Sequence, residues 1–160
     1  MKGKKHMKTV TKFIYPAMFV FACAALSPLA QAQDSNTAFG FEALFSNRTG
    51  ESNTAIGYQA LFSNTTGDGN TATGFAALFS NTIGEGNTAL GYAALFTGSG
   101  DNNTAIGLGA LQSNNGNANT ATGVHALFSN TTGEANTATG SNALLNNTNG
   151  IKNTANGFNA

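Results

Sequence analysis

The chain has 160 residues, of which 7 are basic, 7 are acidic and 1 is cysteine. Residues 33–160 keep two basic residues against all seven acids, a net charge of −5, which argues against nucleic acid or an anionic membrane as a partner. Those residues contain no cysteine, so hydrogen bonds and burial rather than disulfides must hold their fold together.

The N-terminal segment has the three parts of a secretory signal peptide. Its lysines all lie before residue 13, Phe13 to Leu26 is mostly apolar, and Ala30-Gln31-Ala32 has the small residues of a cleavage site. A membrane anchor is the alternative, but Pro16 interrupts the apolar run, which is shorter than the roughly 20 residues of a membrane span. We therefore predict a signal peptide over residues 1–32 and an exported mature chain that begins at Gln33.

From Asn36 onward the sequence repeats the pattern Asn-Thr-Ala-x-Gly-x-x-Ala-Leu. Successive copies are 17 residues apart, except for two copies of 16 residues that begin at Asn87 and Asn103. Such a period is typical of stacked repeats, in which each unit buries its apolar side chains against its neighbours. The last copy stops at Ala160, before its Leu, which leaves truncation open. We call each copy a rung and count positions within a rung from its first Asn; rungs 1 to 8 begin at Asn36, Asn53, Asn70, Asn87, Asn103, Asn119, Asn136 and Asn153.

The composition of one rung favours short strands over a helix. Rung 2 has apolar, small and β-branched residues from Thr54 to Phe62, bounded by Asn, Thr and Gly clusters that are typical of turns. A helix would have to tolerate several interior glycines, at about 1 kcal/mol each. We predict an all-β parallel β-solenoid (a β-roll) over residues 33–160. Each rung should contain two strands, near Thr54–Tyr58 and Ala60–Ser63 in rung 2.

Constant positions in the rung predict the core. The asparagines, such as Asn53 and Asn64, should stack amide on amide between rungs. The residue missing from the two short rungs falls after Phe96 and after Gln112, within the turn, so the strands should stay in register. A ladder of leucines at position 9 should fill the interior: Leu44, Leu61, Leu78, Leu95, Leu111, Leu127 and Leu144.

Adjacent Leu and Phe residues predict an exposed aromatic stripe. Neighbouring strand residues point to opposite faces, so Leu61 and Phe62 cannot both point into one thin coil. Position 6 aromatics such as Tyr58 are an even step away and are expected to join the Phe ladder. A stripe of this size exceeds what soluble monomers usually expose, which favours a homotrimer; the alternative is that it lines a wider monomeric core. The predicted interface residues are Phe45, Phe62, Phe79, Phe96 and Phe128.

No residue pattern predicts catalysis or a cofactor. His125 is the one histidine after the signal peptide, it has no partner at metal or triad spacing, and we predict a solvent-facing turn residue. Acids follow the turn glycine in five rungs and should form one edge of the stack. Repulsion between these carboxylates could be relieved by a bound calcium ion; the other interpretation is that the acidic edge discourages lateral aggregation. These acids are Glu51, Asp68, Glu85, Asp101 and Glu134.

A threonine ladder at position 2 suggests a different use of the surface. Ordered hydroxyls on a strand face resemble those of ice-binding solenoids, most clearly where position 4 is also threonine, as in Thr71/Thr73 and Thr120/Thr122. Position 4 elsewhere holds Phe39, Ile56 and Leu90, so this second column is irregular.

The repeat motif resembles those of known surface proteins over essentially all of the mature chain. Asn53-Thr54-Ala55-Ile56-Gly57 is similar to the Asn-Ser-x-Ala-Ile-Gly core of the head repeats of trimeric autotransporter adhesins. The longer pattern is similar to repeats of other bacterial surface proteins and of tail-fibre-like proteins. The resemblance implies a left-handed parallel β-roll, assembled as a trimer at the outer membrane of a Gram-negative bacterium.

Together these features predict an exported, non-enzymatic protein that attaches to host, matrix or neighbouring cells. A tail-fibre-like shaft is the first alternative, against which the signal peptide argues, and an ice-binding solenoid is the second. The predicted partners are two further copies of the chain and an unidentified extracellular ligand.

Overall fold

A computed structural model describes residues 35–160, and the predicted signal peptide lies outside this range. Each rung contributes one three-residue strand to a single parallel sheet, whose strands follow one another in chain order. The prediction of an all-β parallel β-solenoid is confirmed. The strands are β1 Thr37–Phe39, β2 Thr54–Ile56, β3 Thr71–Thr73, β4 Thr88–Leu90, β5 Thr104–Ile106, β6 Thr120–Thr122, β7 Thr137–Thr139 and β8 Thr154–Asn156.

Equivalent residues lie directly over one another throughout the sheet. Thr54 pairs with Thr71 seventeen residues later, and Thr88 pairs with Thr104 only sixteen residues later. The two short rungs therefore keep the register, as the position of the missing residue predicts. Their shortening is absorbed in the turn, where no strand pairing depends on it.

The prediction of a second strand in each rung is wrong. Ala60–Ser63 forms a turn, because the residues on either side of Ala60 have left-handed backbones, with φ of 54° at Gln59 and 51° at Leu61. The first strand likewise ends at Ile56, because Gly57 (φ 134°) bends the chain. The turn still joins the rungs, since the Leu61 N–H donates to the Ala77 carbonyl at 3.0 Å.

The glycine at position 5 lies where successive backbones come closest. A Cβ built on Gly74, whose φ is 135°, would lie 2.4 Å from the carbonyl oxygen of Gly91 in the next rung. Any side chain at this position would therefore force backbone atoms apart. The sequence pattern needs a glycine for this steric reason in each of rungs 1–7, which have another rung stacked after them.

The interior is a narrow stack of alanine and leucine. Ala55 and Ala60 are fully buried, and Leu61 fills the space between them with no exposed surface. A left-handed leucine costs about 1–2 kcal/mol, whereas its burial contributes about 1.5–3 kcal/mol, so burial offsets the backbone strain. Of the predicted core ladder, Leu61, Leu78, Leu95, Leu111 and Leu127 are buried, and Leu44 and Leu144 are partly buried at the two ends.

Two columns of buried asparagine bind the rungs together, in agreement with the predicted amide stacking. At position 1, the Asn70 side chain accepts the Asn87 N–H (3.0 Å) and donates to the carbonyl of Gly84 (2.8 Å). At position 12, the Asn81 amide donates to Asn64 Oδ1 at 2.9 Å. Each asparagine thus replaces backbone pairing at a corner where the sheet cannot continue.

The position 12 column is interrupted in rung 4. Gly98 occupies the place of the asparagine, and a Cβ there would lie 2.1 Å from the carbonyl oxygen of Asn114. Asn81 Oδ1, in the preceding rung, is the one buried side-chain polar atom within residues 35–160 that has no hydrogen-bond partner. The replacement of asparagine by Gly98 therefore removes one amide from the column, whereas rung 5, which is equally short, keeps Asn114.

Candidate functional surface

Outward-facing columns run along the stack because every rung has the same conformation. Within a strand, the central Ala points inward and its two neighbours point outward, as Ala55 between Thr54 and Ile56 shows. Positions 2 and 4 therefore form parallel columns on the outside, and the exposure of side chains such as Tyr58 and Phe45 adds columns at positions 6 and 10. Any functional surface of residues 35–160 is built from such columns.

The predicted interface phenylalanines form one of these columns. Leu61 is completely buried whereas its neighbour Phe62 is half-exposed, so the two side chains do point to opposite sides. The cause is the turn conformation rather than strand alternation. Phe45, Phe62, Phe79 and Phe96 are stacked face to face, with ring centroids 5.1–5.4 Å apart, and Phe128 lies separately, in edge contact with His125.

The position 6 aromatics form a second stack. Phe41, Tyr58, Phe75 and Tyr92 are stacked with centroids 5.0–5.4 Å apart. Within residues 35–160, aromatic rings of the two stacks do not contact each other, so the expectation that they join into one ladder is wrong. Position 7, with its left-handed backbone, separates them.

Position 4 adds a third apolar column. In the sequence, its apolar residues appear only as interruptions of the second threonine column, and their exposure was not predicted. Phe39, Ile56 and Leu90 are all exposed, and Phe39 reaches 72%. The Thr-Ala-x triplet could have predicted this column, because a buried Ala at position 3 places the side chain of position 4 on the outside. We call the apolar side chains at positions 4, 6 and 10 of rungs 1–4 the apolar wall; they are Phe39, Phe41, Phe45, Ile56, Tyr58, Phe62, Phe75, Phe79, Leu90, Tyr92 and Phe96.

The apolar wall is large for a surface that is exposed to solvent. An aromatic side chain has roughly 150–250 Å² to bury, and six of the nine aromatic side chains in the wall are 43–72% exposed, so the wall presents on the order of 1,000 Å². Soluble monomers rarely expose a contiguous apolar patch larger than a few hundred Å². Stacking on neighbours covers the faces of the inner rings, so the wall presents ring edges to its surroundings.

Position 7 varies, and its side chains contact one another along their own column. Gln59 donates to Glu42 Oε2 at 2.7 Å, and Asn142 donates to Asn159 Oδ1 at 3.0 Å. His125 lies in a turn as predicted, but it is half-buried and its ring packs edge-on against Phe128, with centroids 4.9 Å apart. The ring of His125 therefore packs against a side chain of its own rung.

The acidic edge makes backbone contacts. Asp68 accepts the N–H of Glu51 at 2.7 Å, and Asp101 accepts the N–H of Glu85 at 2.9 Å, so two of the acids cap the edge of the preceding rung. From Ser35 to Ala160, no group of three or more His, Cys, Asp or Glu side chains is placed to hold a metal ion. The described arrangement gives these carboxylates a hydrogen-bonding role.

The threonine columns differ in their hydrogen bonding. In the turns, Thr65 and Thr131 donate their hydroxyls to carbonyl oxygens of the next rung at 2.8–2.9 Å. On the strands, the position 2 threonines pair in register along all eight rungs and are exposed or half-exposed. Their hydroxyls point outward, as the ladder in the sequence predicts.

Residues 35–160 contain no helix that is long and apolar enough to cross a membrane. Comparison of the chain with protein-family models, with curated proteins and with solved structures gave no match. Functional inference therefore rests on the surface itself.

Proposed function

We propose that the chain is an exported, non-enzymatic, adhesin-like protein that attaches to host, matrix or neighbouring cells through its repetitive solenoid surface. The observation that carries this proposal is the in-register repetition of the same outward side chains on successive rungs. Repetition converts weak contacts into strong attachment, because each bound rung raises the effective concentration of the next. The signal-like N-terminus supports placement at the cell surface or secretion.

The proposal includes assembly as a homotrimer through the two aromatic stacks of the apolar wall, at positions 6 and 10, which leaves the strand face at positions 2 and 4 outside the interface. A standard interface buries about 800 Å² on each partner, and each chain of a trimer contacts both others along one shared seam, to which the aromatic stacks contribute most of the area of the wall. The edge acids of rungs 1–4 follow the turn glycine and lie outside positions 4, 6 and 10, and the acid at position 7, Glu42, accepts a hydrogen bond from Gln59. Three parallel copies would bury the ring edges and multiply the attachment sites.

Replacement of Phe62 and Phe79 together by serine tests both parts of the proposal. We expect the variant to dissociate into single chains while its circular dichroism is unchanged, because both rings lie outside the core. The dissociated protein should also be retained several-fold less on matrix-coated or cell-coated surfaces, because avidity is lost. Light scattering gives the mass and surface retention gives the attachment.

Ile83→Ser is the matched control, because Ile83 is 60% exposed in a turn outside the apolar wall. It should leave both mass and retention unchanged. A wild-type chain that is a clean monomer would contradict the assembly, and a wild-type trimer that no such surface retains would contradict attachment.

A further inference from the structure

The strand face changes character along the stack. In rungs 6 and 7, both outward positions of the strand are threonine: Thr120 pairs with Thr137, and Thr122 pairs with Thr139. In rung 8, Thr154 and an asparagine continue the two columns. We call this set the hydroxyl face; it comprises Thr120, Thr122, Thr137, Thr139, Thr154 and Asn156.

The side chains of the hydroxyl face are available to an external ligand. Thr120, Thr137 and Thr139 are exposed, and Thr122 is half-exposed. No hydroxyl of this face bonds to any of residues 35–160, whereas turn hydroxyls such as that of Thr131 donate to the next rung. Each hydroxyl offers one donor and two acceptor sites, which only solvent or a ligand can satisfy.

The ladder fixes the spacing of these groups. Adjacent strands lie about 4.8 Å apart, and residues two apart on a strand lie about 6.7 Å apart, so the hydroxyls and methyl groups form a regular two-dimensional array. The charged residues of rungs 6 and 7, Glu134 and Lys152, lie at positions 16 and 17 and outside the strands. The array is therefore uncharged, rigid and periodic.

A periodic array of hydroxyls selects a ligand that is itself periodic. Waters bound at repeating hydroxyls take up repeating positions, and the methyl groups between them bind no water of their own. Sugar polymers are a weaker match, because protein sites for sugars use exposed aromatic faces, and the inner rings of the aromatic stacks have their faces covered. We propose that the hydroxyl face orders a layer of water and binds the surface of ice.

The test measures ice growth in the presence of the purified chain. The wild-type protein should show thermal hysteresis and inhibit ice recrystallisation. Replacement of Thr122 and Thr139 by lysine should reduce both effects several-fold, because long charged side chains cover the array. Replacement of the same pair by valine, which preserves shape and removes only the hydroxyls, should also weaken them.

The matched control is Thr132→Lys with Asn149→Lys. These exposed turn residues occupy position 14 of the same two rungs, so the control has the same added charge on another face and should retain full activity. Absence of any effect of the wild-type chain on ice growth would overturn the proposal. So would equal loss in the control, or binding to crystalline chitin or cellulose without an effect on ice. The ice experiments do not measure the mass of the oligomer or its retention on surfaces. The attachment proposal is therefore tested independently of the ice-binding proposal.

Discussion

Asn70→Ala is expected to lower the free energy of unfolding by about 3–5 kcal/mol. The side chain is fully buried and makes three hydrogen bonds: it accepts the Asn87 N–H and donates to Gly84 O and Asn53 Oδ1. Truncation removes all three and leaves the Asn87 N–H buried without an acceptor. Desolvation of that group makes the loss larger than that of an exposed amide.

The measurement is urea unfolding followed by circular dichroism, with Asn146→Ala as the control. Asn146 is exposed in a turn of rung 7, and its replacement should change stability by less than about 0.5 kcal/mol. Equal effects of the two substitutions would show that the asparagine columns do not hold the rungs together.

Gly74→Ala is expected to have a still larger effect, about 4 kcal/mol or more, which suffices to unfold many small domains. The new Cβ would lie 2.4 Å from the Gly91 carbonyl oxygen, and the paired strand residues Thr73 and Leu90 immediately before these two glycines hold both backbones in place. Rungs 3 and 4 must separate locally to admit it. Thermal unfolding should show the loss as a lower Tm and reduced cooperativity.

Gly69→Ala is the matched control for the steric effect. Gly69 also has a positive φ, of 65°, but its Cβ would meet nothing closer than 4.0 Å. Other rungs place Ser52 and Ala118 at this position with φ of 57°. The control should therefore cost only the backbone preference, about 1–2 kcal/mol. If Gly74→Ala were equally mild, close approach of the rungs at position 5 would be disproved.

The repeat period was sufficient to predict the stack, the register and the leucine core. Each of these features depends on the structural equivalence of residues at the same position in different rungs, which a fixed spacing reveals directly. The prediction that the residue lost near Phe96 and Gln112 comes from the turn is also confirmed. The second strand was predicted wrongly because apolar residues at positions 8 to 10 resemble a strand in composition. Nothing in that composition shows that Leu61 has a left-handed backbone, which tertiary packing imposes.

The candidate surface was predictable only in part. Outward-facing phenylalanines followed from their adjacency to Leu, but separation of Phe62 from Tyr58 into two stacks depends on the conformation of position 7. The exposed column through Ile56 and Leu90 was visible in the sequence as an alternation with buried Ala. The hydrogen bonds that Asp68 and Asp101 accept from the preceding rung do not follow from the sequence, because a carboxylate in a turn has many possible partners.

The in-register stack itself is tested most directly by engineered disulfides in a Cys23→Ser background. Adjacent strands lie about 4.8 Å apart, within the range of about 4.4–6.8 Å that a disulfide spans between Cα atoms. Cysteines at Tyr92 and Leu108, sixteen residues apart, should cross-link on mild oxidation as fully as cysteines at Tyr58 and Phe75, seventeen apart. A pair at Tyr92 and Gly109 should not, because a Cβ on Gly109 points at His125 (2.8 Å from Cδ2) and away from Tyr92, although the Gly109 N–H donates to the Tyr92 carbonyl. Non-reducing mass spectrometry reads out the result, and preferential cross-linking of Tyr92 with Gly109, or of neither pair, would contradict the stack.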